Sequence, residues 1–181
     1  MVSGTAHGAA GRSGAGGVTA AEAAASVVDP EIRVVTIEEL GILRGVTVDP
    51  QSGRVTVTIT PTYSGCPAMD VIRSDIRRAV RAAGHEDVEV ATTLSPPWST
   101  DMISGSGRAK LAAAGIAPPD PAGGAPPGPA GSGPVLLRIS VRCPRCGSPE
   151  TEELSRFGST ACKALWRCRA CTEPFDRIKP L

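Results

Sequence analysis

Two Cys-x-x-Cys pairs near the C-terminal end constrain the fold of this chain more than any other feature of its sequence. Cys143 and Cys146 form the first pair, Cys168 and Cys171 form the second, and 21 residues separate the pairs. Each pair directs two sulfurs toward one point, and two pairs complete the tetrahedral S4 shell that suits Zn²⁺. The spacing therefore predicts a small ribbon closed by a structural metal. A rubredoxin-like iron site has the same ligands, and zinc is favoured only as the commoner occupant.

A single Cys-x-x-Cys pair has another interpretation, a thioredoxin-like redox centre beside a βαβ unit. Two pairs without such a unit favour the metal site. Residues 135–181 lie near the size at which a hydrophobic core alone is usually insufficient, so bound metal would supply much of the folding free energy. Cys162 is left over, six residues before Cys168. It is either a small buried thiol or an accessory redox or transfer thiol beside the metal site.

Glycine and proline divide the rest of the chain into segments. Residues 1–18 are dominated by Gly, Ala and Ser, which predicts a disordered tail. Residues 118–134 are almost wholly Pro, Gly and Ala, which predicts a semi-extended linker. This linker separates a first domain at 19–117 from the cysteine-rich module at 135–181, and we expect few contacts between the two.

The first domain shows both strand and helix patterns. Residues 54–60 alternate apolar and threonine side chains, which predicts a half-buried strand paired in a hairpin with residues 43–48. Apolar residues recur every three or four positions from Met69 to Ala83, which predicts an amphipathic helix that ends at Gly84. Further helices are predicted over 20–28 and 108–114, and a further strand over 88–94. The predicted fold class is α+β.

Cys66 stands at the start of the predicted amphipathic helix. Pro67 suits the first helical position, because its missing N–H needs no partner there. The Cys66 sulfur would then face free backbone N–H groups and the positive end of the helix dipole, which predicts a lowered pKa. A thiolate can hold iron or attack an electrophile. His7 lies in the tail and His85 follows the far end of the helix, so their positions exclude a Cys–His protease.

Charge and hydropathy limit the partners and the cellular location that we expect for the protein. The net charge is +1, which gives no overall electrostatic case for a nucleic-acid partner. No segment approaches the ~20 apolar residues that span a bilayer, so no membrane partner is expected. The N-terminal segment lacks the continuous apolar run of a secretory signal. We expect a cytoplasmic protein, whose cysteines act as thiols and metal ligands rather than as disulfides.

The motifs of the first domain resemble a known family. They are Val28-Asp29-Pro30-Glu31, Glu39-Leu40-Gly41-Ile42, Thr60 and Gly65-Cys66-Pro67. In these motifs the sequence resembles the iron–sulfur assembly domain of SufT and of cytosolic iron–sulfur targeting factors. A closer resemblance, to the D subunits of phenylacetyl-CoA epoxidases, covers all but the tail and the linker. Its segments are 58–73, 94–98, 115–118, 143–148 and 157–168.

The resemblance implies a fold, a role and a set of site residues. The fold is a small α/β sandwich of the iron–sulfur assembly (SufT-like) type followed by a C-terminal zinc ribbon. The role is accessory, without turnover of its own: maturation of an iron or iron–sulfur centre in aerobic phenylacetate degradation. The oxygenase and reductase subunits of the epoxidase would be its partners. Cys66 would hold iron or a cluster transiently, with Asp29, Glu31 and Thr60 around it.

Other functions stay open from the sequence alone. One is an electron-transfer or structural subunit of the oxygenase, although the chain has neither a Glu-x-x-His pair nor a dinucleotide fingerprint. Another is a nucleic-acid-binding zinc ribbon, because residues 135–181 are net basic. A homodimer that meets at Cys66 is also open, since one thiolate cannot hold a cluster. Relatives commonly end in Lys-Cys, whereas here Lys179 is followed by Pro180 and Leu181.

Overall fold

A computed structural model describes residues 17–63, 65–119 and 141–180, which form two small sheets. The first sheet contains β1 (Leu43–Val48), β2 (Val55–Ile59) and β3 (Val88–Thr92), in the order β1-β2-β3. β1 and β2 pair antiparallel, which confirms the predicted hairpin, and β2 pairs parallel with β3. The predicted tail lies outside the described residues, apart from residues 17 and 18.

The helices of the first domain pack on or beside this sheet. α1 (Ala20–Ala25) begins at a capping box between Thr19 and Glu22, and α2 (Ala68–Ala82) joins β2 to β3. α1 ends three residues before the predicted end, because Val28 leaves the helix and forms a bridge with Thr36. α3 (Gly105–Ala113) begins earlier than predicted, where the Ser104 hydroxyl caps the helix by accepting a hydrogen bond from the Gly107 N–H. Within the described residues, no helix has the length and apolar character of a membrane span.

The second sheet joins the two halves of the chain. It contains β4 (Ile116–Ala117), β5 (Thr151–Ser155), β6 (Lys163–Cys168) and β7 (Pro174–Ile178), in the order β4-β7-β6-β5. β4 follows α3 directly and pairs in parallel with β7 of the ribbon. Ile178 at the end of β7 packs into the core of the first domain. The expectation of few contacts between the modules is therefore wrong, whereas the domain boundaries stay a prediction, because residues 120–140 lie outside the described chain.

Each sheet covers its own hydrophobic cluster. In the first domain, the apolar residues of β2 alternate into the core and meet the buried stripe of α2, as the sequence periodicity predicts. In the ribbon, a smaller cluster surrounds two of the four paired cysteines. Its buried members are Ala117, Val141, Cys143, Ala164, Trp166, Cys168 and Phe175. Because this cluster is small, we expect the ribbon to need both bound metal and its contacts with the first domain for stability.

Gly41→Ala should destabilise the first domain more than Gly53→Ala does. Both glycines have a positive φ, +73° and +72°, so both substitutions place a side chain in left-handed backbone. A Cβ on Gly41 would also lie 2.5 Å from the Met102 Cβ, whereas a Cβ on Gly53 meets nothing within 4 Å. We expect Gly41→Ala to cost about 1–3 kcal/mol more, the usual penalty of overpacking. Urea denaturation of both variants measures the difference, and equal losses would contradict it.

Candidate functional site

The four paired cysteines converge on one point in the ribbon. Their sulfurs all lie within 4.8 Å of one another. The Cys143 and Cys171 sulfurs are 3.8 Å apart, and those of Cys146 and Cys168 are 3.6 Å apart. A tetrahedral zinc site with Zn–S bonds of about 2.3 Å separates its sulfurs by about 3.8 Å. The four thiols therefore fit a single metal ion with an S4 shell.

Tight turns and burial set the positions of these sulfurs. The turn after Cys143 closes through a hydrogen bond from the Gly147 N–H to the Cys143 carbonyl, at 2.9 Å. Cys143 and Cys168 are buried in the ribbon cluster, whereas Cys146 is exposed at the surface. Four sulfur ligands would leave no open coordination position, which is the mark of a structural site. The ribbon thus contains a structural metal site.

A second group of side chains, polar and apolar, lies where the ribbon meets the first domain. It lines a cavity of about 20 Å³, enough for about one water-sized particle. The first domain contributes the segment before α2, the loop after α1 and Trp98, and the ribbon contributes the segment before β6 and the end of β7. The lining residues are Asp29, Glu31, Ile32, Leu40, Ile42, Thr62, Cys66, Met69, Trp98, Cys162, Ile178 and Lys179.

Asp29 builds the loop on one side of the cavity. Its Oδ1 accepts hydrogen bonds from the backbone N–H groups of Glu31, at 2.9 Å, and Ile32, at 2.6 Å. Burial raises the pKa of the Asp29 carboxyl, while these two N–H groups and the charge of Lys163 act in the opposite direction. Asp29 therefore holds the turn that presents Glu31, whose Oε2 lies 3.8 Å from the Cys162 sulfur.

Cys66 lies next to Pro67, which is the N-cap residue of α2 rather than its first helical residue, and the electrostatic environment of Cys66 differs from the prediction. Burial raises the pKa of the Cys66 thiol, and the nearby Glu31, Cys162 and Asp29 raise it further. A hydrogen bond from the Ala68 N–H favours the thiolate but is the weaker influence. The expectation of a lowered pKa is therefore wrong, because desolvation outweighs the helix N-terminus.

Of the other predicted site residues, Cys162 lines this cavity and Thr60 does not. Thr60 is buried, its N–H donates to the Ile42 carbonyl at 2.8 Å, and its side chain does not line the cavity. Thr62, two residues later, does line it. Cys162 is half-buried against the first-domain core and faces the cavity with Cys66. Sequence reasoning did not bring these cysteines together, because they are 96 positions apart and no local pattern connects them.

Trp98 is a further cavity residue that the sequence did not single out. Its indole is 6% exposed, and its Nε1 donates a hydrogen bond to the Leu40 carbonyl at 2.9 Å. The bond ties the loop after β3 to the segment before β1. A tryptophan between prolines and serines is a visible signal in the sequence, but its partner is not.

Two families match separate parts of the chain. Residues 20–92 match the family described as "Iron-sulfur cluster assembly protein". Residues 132–179 match the family described as "PaaD zinc beta ribbon domain". The cavity thiol Cys66 falls in the first match, and the four-cysteine cluster and Cys162 fall in the second.

Individual relatives are similar to this chain over different lengths. An Escherichia coli K12 protein, provisionally named as the D subunit of 1,2-phenylacetyl-CoA epoxidase, is 46% identical over 84% of this chain and 86% of its own. An iron–sulfur protein maturation auxiliary factor of Porphyromonas gingivalis is 39% identical over 48% of this chain and 81% of its own. A solved Bacillus anthracis domain of unknown function, DUF59, is 31% identical over 51% of this chain and 87% of its own, with a TM-score of 0.47.

Proposed function

Because the chain belongs to the family of phenylacetyl-CoA epoxidase D subunits, we propose that it is a maturation subunit of such an epoxidase, without turnover of its own. One observation carries this proposal: Cys66, in the segment that matches iron–sulfur assembly proteins, lines a cavity together with Glu31 of the same segment and Cys162 of the ribbon. The cargo would be iron or an iron–sulfur cluster, delivered to the oxygenase or reductase subunit. The chain would work in the cytoplasm, where reducing conditions keep its six cysteines as thiols.

The residues around the cavity suit the handling of iron. Cys66 offers a sulfur ligand and Glu31 offers a carboxylate, two donor types that iron accepts in proteins. Asp29 acts by fixing the loop that carries Glu31. Thr60 would support the site from the core, because its N–H donates to the carbonyl of Ile42 in the segment before β1. The half-buried position of Cys66 keeps the thiol near the surface, where a partner can reach it.

We also infer that zinc is the metal of the ribbon. Cys143, Cys146, Cys168 and Cys171 would hold it, and zinc would supply a rigid, redox-inactive crosslink between the two turns. An iron ion in the same four thiolates would instead make an electron-transfer site, which is the alternative role within the oxygenase complex. Elemental analysis of the protein purified from cells separates the two.

The alternative of nucleic-acid binding finds little support in the charges of the ribbon. Arg167 and Arg169 both form ion pairs with Glu152, at 2.6 Å and 2.9 Å. Arg145 lies 4.0 Å from Glu173. These arginines are engaged with neighbouring carboxylates, whereas phosphate binding needs basic side chains that are available to the backbone of the nucleic acid.

Cys66→Ser should abolish maturation while it leaves the protein folded. The hydroxyl is close in size to the thiol but binds iron poorly, and the side chain is only half-buried, so little packing is lost. The test is epoxidase activity and iron content of the partner subunits, co-produced with each variant in a host that lacks its own D subunit. With Cys66→Ser, we expect the epoxidase activity and the iron content to be as low as in that host without any D subunit.

Val71→Ser is the matched control for this experiment. Val71 lies in the first turn of α2, the helix that follows Cys66. It is 48% exposed and does not line the cavity. We expect full maturation with this variant. Full activity and iron content with Cys66→Ser would show that the cavity thiol has no part in maturation.

A further inference from the structure

Cys162 belongs to the ribbon in sequence but to the first domain in its packing. It precedes β6 and packs against the core of the first domain. Its backbone is held by the residue that follows β7, because the Lys179 N–H donates to the Cys162 carbonyl at 3.0 Å. The Lys179 ammonium also donates to the carbonyl of Ala161, at 2.8 Å. The ribbon thus holds this thiol at the wall of the Cys66 cavity.

We propose that Cys66, Cys162 and Glu31 form one composite site that binds a single thiophilic divalent ion, Fe²⁺ in the cell. The proposal rests on the maturation function and specifies how the cargo is held. Both cysteines line the same cavity, and the Glu31 Oε2 lies 3.8 Å from the Cys162 sulfur. Two sulfurs and one carboxylate suit Fe²⁺, Co²⁺ or Zn²⁺, whereas Mg²⁺ and Ca²⁺ require mostly oxygen ligands.

The number of cysteines at the cavity favours an ion over a cluster. Iron–sulfur clusters contain two or more irons with bridging sulfides and are usually held by four cysteines, whereas this cavity has two. Because the second sulfur comes from the same chain, the site needs no second copy of the protein.

The three ligand atoms must approach one another before they can share one ion. Among the described residues, only the ribbon cysteines bring three or more ligand atoms within 4.8 Å of one another. Binding at the cavity therefore requires a side-chain rotation at Glu31 or Cys66, both of which are half-buried. The movement available to each of these side chains is a change between staggered rotamers.

Three protein ligands would leave one position of a tetrahedral ion open to a partner. Open positions distinguish exchangeable and catalytic sites from closed structural ones. On binding, each thiol releases its proton and forms a metal–sulfur bond. On transfer, those bonds break, ligands of the partner replace them, and each sulfur takes up a proton again, while the ion stays divalent throughout.

Cobalt titration of the full-length, zinc-loaded protein tests the composite site. We expect one Co²⁺ to bind beyond the ribbon zinc, with a cobalt–thiolate absorption band and an X-ray absorption signature of two sulfur ligands. Cys66→Ser, Cys162→Ser and Glu31→Gln should each weaken cobalt binding by at least about tenfold, a loss that even outer-shell changes can produce. Glu38→Gln removes an exposed carboxylate outside the cavity and should leave cobalt binding unchanged.

The outcomes separate this site from the maturation function. If Cys162→Ser binds cobalt as tightly as the unaltered protein, with the same number of sulfurs, the composite site is wrong. Cobalt that enters only by displacing the ribbon zinc, measured by elemental analysis, also overturns it. In either case Cys66→Ser can still abolish maturation of the epoxidase, so the proposed function would survive. Normal maturation with Cys66→Ser would refute that function independently.

Discussion

Removal of the ribbon zinc is expected to unfold the ribbon and to open the Cys66 cavity at the same time. Structural zinc contributes about 10–16 kcal/mol of apparent binding free energy in small zinc modules, more than the small ribbon core can replace. The loss of stability should extend into the first domain, because Ile178 packs into the first-domain core and Cys162 packs against it. Amide hydrogen exchange with and without a chelator measures the spread of unfolding.

The first sheet provides the internal control for this experiment. β2 pairs with β1 and β3 inside the first domain, so its amides should stay protected, at a reduced level, when the metal is removed. Amides of β6 and β7 should exchange at the rate of an unfolded chain. The metal-loaded protein should contain about one zinc per chain, as a single S4 site requires. A metal-free protein whose β6 and β7 amides keep full protection would contradict a structural role for the zinc.

Trp98→Ala should destabilise the first domain by about 3–5 kcal/mol, because it empties a buried aromatic site. The indole is 6% exposed and forms part of the cavity wall beside Cys66. Removal of the indole also breaks the 2.9 Å hydrogen bond from the Trp98 Nε1 to the Leu40 carbonyl, which then has no donor from this side chain. Urea denaturation in excess zinc, followed by far-UV circular dichroism, measures the loss in the first domain.

Two companion variants separate the causes of this loss. Trp98→Phe keeps most of the ring but removes the Nε1 donor, so its cost should be about 1–3 kcal/mol, the penalty of an unsatisfied buried acceptor. Leu94→Ala changes a residue of the same loop that is 67% exposed, and should alter the free energy of unfolding by less than about 0.5 kcal/mol. Equal losses for Trp98→Ala and Trp98→Phe would show that ring volume is not the main contribution.

Local sequence patterns predicted a feature correctly where the residues that determine it lie close together in the chain or repeat one spacing. The alternation over 54–60 predicts β2, and the three-and-four periodicity after Met69 predicts α2. The two Cys-x-x-Cys pairs predict the convergence of their four sulfurs, because each turn places two ligands and a small ribbon can join two turns. The position of Cys66 before α2 follows in the same way from Pro67.

The pKa of Cys66 could not be predicted from the local sequence. A helix N-terminus is visible in the sequence, whereas the burial of the thiol and the nearby Glu31 and Cys162 are not. Desolvation depends on what covers a residue, and that cover comes partly from the ribbon. A correct local feature therefore led to the wrong direction of the pKa shift.

By itself the sequence determined the elements of the first sheet, the helix after Cys66 and the four-sulfur metal site, because each depends on residues close in the chain or on one repeated spacing. Only the tertiary structure decided that β4 joins the ribbon sheet and that Cys162 meets Cys66. A two-residue strand has no periodicity to detect, and the two cysteines are 96 positions apart. Long-range pairing of this kind comes from the burial of Ile178 and the backbone bonds of β7, which no local pattern encodes.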